Sequence, residues 1–552
     1  MYLSKNDYEM PRVLIHNIPV ISFDYSMREK YWGELSQLLI NNHGKGPFQE
    51  HLKVEEILIE SFGYFTRKFK ELLVEETNLT FYLYLFWLHE ESIKLHRKLL
   101  EGLELYSITE NEFATYRRVL KNILEQGCNH NLSWGAMPNA VDAQKINNKL
   151  QDLLYLGTWM YGFADEIALQ KMIEQCHKVY FDDEDLLVVD WQFHYGYSYK
   201  QLFPSLRDDY EQGIFDQNSV VELRAAIEQN FGITYDYGAG IIFQIKEYFS
   251  PQNPTLQTIE PYVLPENLAA QFGINVQEAK NFYNGLTISA ENKMSVEDLV
   301  LKPYNLNRYM FRPILVYTID GVKRALVGWE KFGESILVLA TNAIHWNNIP
   351  VEWAKNKGMQ KFINKKSHEH DRILEDRIES IFKENVLPYA RNIKSFKRPG
   401  QDNLNIDNNI CGEIDFIVIN INLNKIFVAD VKYNRSKYEA CGYRSDYTNF
   451  INTYERKIEL KRSWVEQNKQ VVQDHLKMMT GNANLDILNY EVEGVFFINT
   501  PTFYMFNGKY KAITMRHLKE FILGTYNSPV VKDEVDGKEI EIKHPYFKKP
   551  LD

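Results

Sequence analysis

The sequence predicts a multidomain chain: a mostly α-helical amino-terminal region, a mixed α/β middle region and a carboxy-terminal α/β domain. Three observations predict it. Apolar residues recur at helical spacing between about residues 50 and 160, and short strand-like runs mixed with helices take over from about 178. In the last third, two β-branched apolar segments are bracketed by helices. A chain of 552 residues exceeds what one hydrophobic core serves, and the texture divides it into 1–177, 178–360 and 361–552.

Composition bounds the function classes. With 45% hydrophobic and 25% charged residues the chain is an ordinary globular one, which excludes a disordered tail protein. Cys128, Cys176, Cys411 and Cys441 show no C-x-x-C spacing, against a zinc knuckle or a disulfide framework. The start, MYLSKNDYEMPRVLIHNIP, lacks the layout of a signal peptide; a cytoplasmic location is expected. The longest apolar run, Phe81 to Leu88, falls short of the roughly 20 residues that span a bilayer, so no membrane role is expected. A net charge of -11 argues at first sight against a nucleic-acid partner. The charge is uneven, however: residues 361–552 carry 30 Lys+Arg against 27 Asp+Glu, leaving -14 on residues 1–360.

In the first region VEEILIESFGYFTRKFKELLVEE, FWLHEESIKLHRKLLEGLELY and EFATYRRVLKNILEQG read as amphipathic helices without a fixed repeat. In the middle, Ile314 to Ile319 and Val322 to Val327 flank Asp320-Gly321, a dipeptide suited to a tight hairpin. Leu268 to Leu286 looks like a helix-turn-helix unit, with Ala269 inside, Gly273 at the turn and Phe282 on the second helix. The polar stretch Lys355 to His370 is either a boundary or the start of a longer helix.

The chemistry lies beyond it. After a helix, LEDRIESIFKEN, and a basic segment, RNIKSFKRPG, come GEIDFIVIN and KIFVADVKYNRS. Glu413 to Ile421 and Lys425 to Tyr433 read as a hairpin. Side chains alternate along a strand, so Asp430 and Lys432 share one face while Phe427, Ala429 and Val431 take the other. A loop at Asn422-Leu423 sets Asp415 opposite Asp430; a one-residue slip sets it opposite Lys432. Two carboxylates so close repel unless a cation lies between them. The alternative is an ordinary buried Asp415–Lys432 salt bridge, an expensive way to build a core. Glu413 shares the face of Asp415 by parity. EVEGVFFINTPTFYMFNGKYKAITM reads as two further strands turning at Asn507-Gly508.

The ordered set of a helical Glu, then GEIDFIVI, then VADVK resembles the PD-(D/E)xK nuclease superfamily, over roughly the last third of the chain. The resemblance implies a restriction-endonuclease-like domain with a central mixed sheet flanked by helices. It implies that Asp415 and Asp430 bind Mg²⁺, with Mn²⁺ as a substitute, that the Val431 carbonyl joins them, and that Lys432 positions or polarises the attacking water. The family's upstream acid falls on Glu375, closer to the apolar stripe of its helix than Glu379. Its later helix sets a Lys or Gln against the scissile phosphate; Lys461 lies on the inward stripe here, whereas Gln467 and Gln470 point away. Arg391, Lys394, Lys397 and Arg398 are candidates for backbone contacts.

The expected activity is therefore metal-dependent hydrolysis of nucleic acid, DNA ahead of RNA, with a restriction or anti-phage effector as the expected role. No G-x-x-x-x-G-K-[ST] loop is present, so an ATP-driven partner would be a separate chain. The amino-terminal region is a candidate for a protein partner or for homo-oligomer formation. The rival reading is a catalytically silent nuclease-fold scaffold that binds nucleic acid or protein.

Overall fold

The amino-terminal helices form where the apolar period predicts them, and capping side chains fix their ends. The structure, a computed structural model, describes residues 13–15, 18–21, 23, 26–105, 108–133, 140–173, 176–192, 218–243, 260–407, 409–435, 437, 440–527, 531–535 and 538–542. Helices α1 (Ser26–His43), α2 (His51–Val74), α3 (Leu79–Leu100), α4 (Glu110–Gln126) and α5 (Ala140–Met172) make the first region mostly helical. Asn78 accepts from the Thr80 N–H at the start of α3, and Thr109 with Glu112 forms a reciprocal capping box on α4. Among the described residues no helix is long and apolar enough to cross a membrane.

A small sheet follows from β1 (Asn131–Leu132), β2 (Thr287–Ile288), β3 (Ile314–Ile319) and β4 (Val322–Val327). The β3–β4 hairpin has the bounds read from the sequence, with Ile319 opposite Val322. Asp320 and Gly321 carry φ of 50° and 80°, the positive values that a two-residue turn between twisted strands requires. Strand β3 also pairs in parallel with β1 and β2. The helix-turn-helix stretch is α6 (Val263–Phe272) and α7 (Val276–Gly285), with Gly273 left-handed at the turn. Both helices spend their apolar faces on a core: Leu268, Ala269, Phe282 and Tyr283 are buried there with Trp353. Helix α8 (Trp329–Asn342) completes this region.

The polar stretch 355–370 proves to be the beginning of a long helix, α9 (Lys357–Glu384). The chain forms two compact units: Met1–Ile167 with His177–Asp190 and Phe215–Ser367, and Ala168–Cys176 with Trp191–Ile214 and His368–Asp552. The stretches 1–177 and 178–360, read apart in the sequence, thus contribute mainly to one unit, because β1 from the first pairs with β3 from the second. The second unit also takes residues from before 361. Ala168, Leu169, Met172, Ile173 and Trp191 are buried in its core.

That unit is built on β5 (Tyr389–Ile393), a hairpin of β6 (Ser395–Arg398) and β7 (Gln401–Asn405), then β8 (Ile414–Asn420), β9 (Lys425–Lys432), β10 (Glu491–Ile498) and β11 (Lys511–Thr514). Its five-stranded sheet runs β11-β10-β9-β8-β5. Strands β5, β8 and β9 are antiparallel, whereas β9, β10 and β11 are parallel. Alternation divides the sheet into two apolar faces. Ile417, Ile419, Ile426, Val428, Phe496 and Ile498 pack with the helices α10 (Ala440–Asn449), α11 (Glu455–Gln467) and α12 (Lys469–Thr480). Phe416, Val418, Phe427, Ala429, Val495 and Phe497 pack with Leu374, Ile378 and Phe382 of α9 and with α13 (Met515–Leu523). The Asn507-Gly508 hairpin expected between the last two strands does not form. Those strands are parallel, which a tight turn cannot join. The connection instead buries Phe503 and Tyr504 and includes a short helix, Tyr504–Asn507.

Candidate active site

Strands β8 and β9 pair in the first of the two registers the sequence allows. Phe416 faces Ala429 and Asn420 faces Lys425; one step further along, Asp415 meets Asp430. The loop is four residues rather than two, Ile421 to Asn424, and Asn424 takes the left-handed conformation with φ 53°. At its other end the ladder stops on a side chain. The Val431 N–H donates to Asp415 Oδ2 at 2.7 Å, so the carboxylate takes the place of a strand carbonyl and is fixed by the neighbouring backbone.

Asp430 is 2% exposed and sits between two ammonium groups. Lys461 Nζ donates to its Oδ1 at 2.7 Å, and Lys432 Nζ stands 2.6 Å from its Oδ2 as an ion-pair partner. Lys461 Nζ also lies 3.9 Å from Asp415 Oδ1. Lys432 Nζ donates to the Val431 carbonyl at 3.3 Å and lies 5.0 Å from the Tyr454 ring centroid. Helix α11 delivers Lys461 because Ile458, Lys461 and Val465 follow one another on its buried face. A π-helical turn, Phe450–Tyr454, precedes that helix, an irregularity frequent at functional sites.

The four charges divide unequally. Burial, and then the charge of Asp430, push the Asp415 carboxyl well above the ordinary range. Burial would raise Asp430 too, but Lys432 and Lys461 overcome it and hold its carboxyl below the usual value. Burial would lower Lys432, and Asp430 and Asp415 outweigh it and raise the ammonium's pKa. The side chains of Asp415 and Lys432 are 21% and 19% exposed, against 3% for Asp430, so solvent reaches the cluster on the Asp415 side.

The structure brings Asp415, Asp430, Lys432 and Lys461 together but does not bring Glu375 to them. Glu375 belongs to α9, whose apolar stripe covers the other face of the sheet. Its Oε2 accepts from Arg391 Nη2 at 2.8 Å, from Arg391 Nε at 3.2 Å and from Asn392 Nδ2 at 3.2 Å. Arg391 also reaches Asp376 and Glu379, so this guanidinium is spent on three carboxylates. Lys394 is exposed and pairs with Glu413 at 3.4 Å. Lys397 and Arg398 lie on the β6–β7 hairpin: the Lys397 N–H donates to His475 Nδ1 at 2.9 Å, and Arg398 Nε donates to the Asp402 carbonyl. Tyr454, whose ring lies beside the Lys432 ammonium, is a site residue to which the sequence assigned no role. Its signal was its place one and two turns before Ile458 and Lys461.

Among the described residues no group of three or more His, Cys, Asp or Glu side chains is placed to hold a metal ion. Asp415, Asp430 and the Val431 carbonyl still suit a hard cation such as Mg²⁺, which keeps several waters and takes one or two carboxylates. The Lys432 ammonium, 2.6 Å from the buried Asp430 Oδ2, stands in for a cation there. Comparison of the chain with protein-family models, curated proteins and solved structures finds no match.

Proposed function

We propose that the second unit is a metal-dependent nuclease of the restriction-endonuclease-like kind, hydrolysing phosphodiester bonds through Asp415, Asp430, Lys432 and Lys461. One observation carries the reading: two carboxylates and two ammonium groups meet on one face at the ends of otherwise apolar strands, where a core would have no use for them. Asp415, Asp430 and the Val431 carbonyl would hold a divalent cation, which lowers the pKa of water and neutralises charge on a phosphate. Deprotonated Asp415 is the solvent-facing ligand. Lys461 keeps Asp430 ionised. Lys432, on the same solvent-facing side, is placed to meet a phosphate oxygen or to orient the attacking water. Arg391 drops out as a phosphate contact; Lys394, between β5 and β6, and Lys397 are exposed, and Arg398 is half-buried.

DNA ranks ahead of RNA as substrate, and a restriction or anti-phage role in the cytoplasm is part of the same proposal. The test is incubation of the purified chain with single- and double-stranded DNA and RNA, in Mg²⁺, in Mn²⁺ and in chelator. Cleavage of at least one substrate that chelator stops is expected; no cleavage of any would sink the reading. A silent scaffold is the second reading, favoured by the pairing of both Asp430 oxygens with lysines, and it predicts binding without cleavage.

A further inference from the structure

The first unit buries a second polar group, around Tyr309. Its ring centroid lies 5.4 Å from that of His89 on α3 and 5.3 Å from Lys331 Nζ on α8. Its backbone N–H donates to Glu125 Oε1 at 2.8 Å. Lys331 Nζ donates to Glu334 Oε2 at 2.6 Å, and Arg117 pairs with the other oxygen of that carboxylate. Arg117, Lys121 and Glu125 succeed one another at four-residue intervals along α4, so one face of that helix supplies much of the group.

Many of its polar atoms have no partner. Both ring nitrogens of His89, the Tyr309 hydroxyl, Glu125 Oε2 and the Nε atoms of Arg117 and Arg308 are buried without a hydrogen bond. His89 and Tyr309 are 0% exposed. Buried polar groups are rarely left so, and their concentration in one place points to a missing occupant. Charge tells what kind. Arg117, Lys121, Arg308 and Lys331 converge on Glu334 and Glu125, and Glu90 is already committed to the Glu330 and Lys331 N–H groups at the start of α8. Lys121 makes no ion pair among the described residues. Burial and the neighbouring cations push its ammonium well below the ordinary range, and burial raises both Glu90 and Glu125 to about 7. Water can satisfy orphaned donors but cannot neutralise an excess of positive charge.

We propose that this cluster binds a small phosphate-bearing anion, with Lys121, Arg117 and Arg308 on the phosphate oxygens and His89 and Tyr309 on the remaining polar atoms. Guanidinium forks and ammonium groups suit a tetrahedral oxyanion, and several cations around one anion favour a charge of two or more. The inference does not rest on the nuclease reading.

Calorimetric titration of the full chain with inorganic phosphate, at constant ionic strength in chloride, tests it. Wild type binds saturably and Asp430→Ala binds as well, which separates this site from the carboxylate pair. Lys121→Met weakens binding about tenfold or more, yet melts no lower than wild type in phosphate-free buffer, because no buried amine then has to be desolvated. Tyr309→Phe, which leaves every charge in place, also weakens binding. No saturable binding by wild type, or equal binding by wild type and both variants, overturns the proposal.

Discussion

Asp415 is a residue that the proposed chemistry needs and stability does not. Its carboxyl is raised by burial and by Asp430, so the folded chain holds a proton that the unfolded chain has released. The folded state is thereby favoured below the unfolded carboxylate pKa, and this contribution is lost as pH rises through the raised value. Asp415→Asn mimics the protonated form and still accepts the Val431 N–H, so urea unfolding near neutral pH should change by no more than about 1 kcal/mol. The same variant should abolish cleavage, since an amide cannot supply an anionic ligand. At this scale the sequence was legible wherever chemistry contradicted its surroundings: Asp415, Asp430 and Lys432 stand out among β-branched residues, and Lys461 among the apolar positions of its helix. Glu375 was not. Its partner, Arg391, is 16 residues away and reaches it through the fold, and no spacing rule reports such a pair.

At the scale of elements, helix α12 and the β6–β7 hairpin are joined by a histidine. His475 Nδ1 accepts the Lys397 N–H, and its ring packs edge-on against Phe396 at 5.1 Å. Burial, aided by the charge of Lys397, lowers its pKa to about 4. The unfolded chain therefore binds more protons between the two values. The stability this contact gives is complete above about pH 6.5 and is lost as pH falls toward 4. Wild-type stability should fall across that window with a slope approaching one proton, and His475→Gln should lack that component; identical slopes would refute the assignment. The β3–β4 and β8–β9 hairpins were legible because alternation and turn residues are local signals. The Asn507-Gly508 turn was misread because the same dipeptide can cap a short helix, and only strand direction, a non-local property, decides between them.

For the whole molecule, the division into two units was partly legible. Helical period marked the first region, but the second unit's core draws on residues far earlier in the chain. Met172 is 0% exposed in that core, beside Leu169 and Ile173. A fragment comprising residues 361–552 should consequently lack a cooperative thermal transition or melt well below the intact chain, because losing several buried apolar side chains costs about 2–5 kcal/mol each. A fragment as stable as the same unit in the full chain would show that those earlier residues are dispensable.

On the proposed reading Asp430, held ionised between Lys432 and Lys461, belongs to a hydrolytic site. The most direct test is the rate of Mg²⁺-dependent cleavage by wild type and by the Asp430→Ala/Lys432→Ala double variant, on whichever nucleic acid the wild type cuts, with circular dichroism confirming that both are folded. The double variant should lose about 10²-fold or more; equal rates would remove Asp430 and Lys432 from the chemistry.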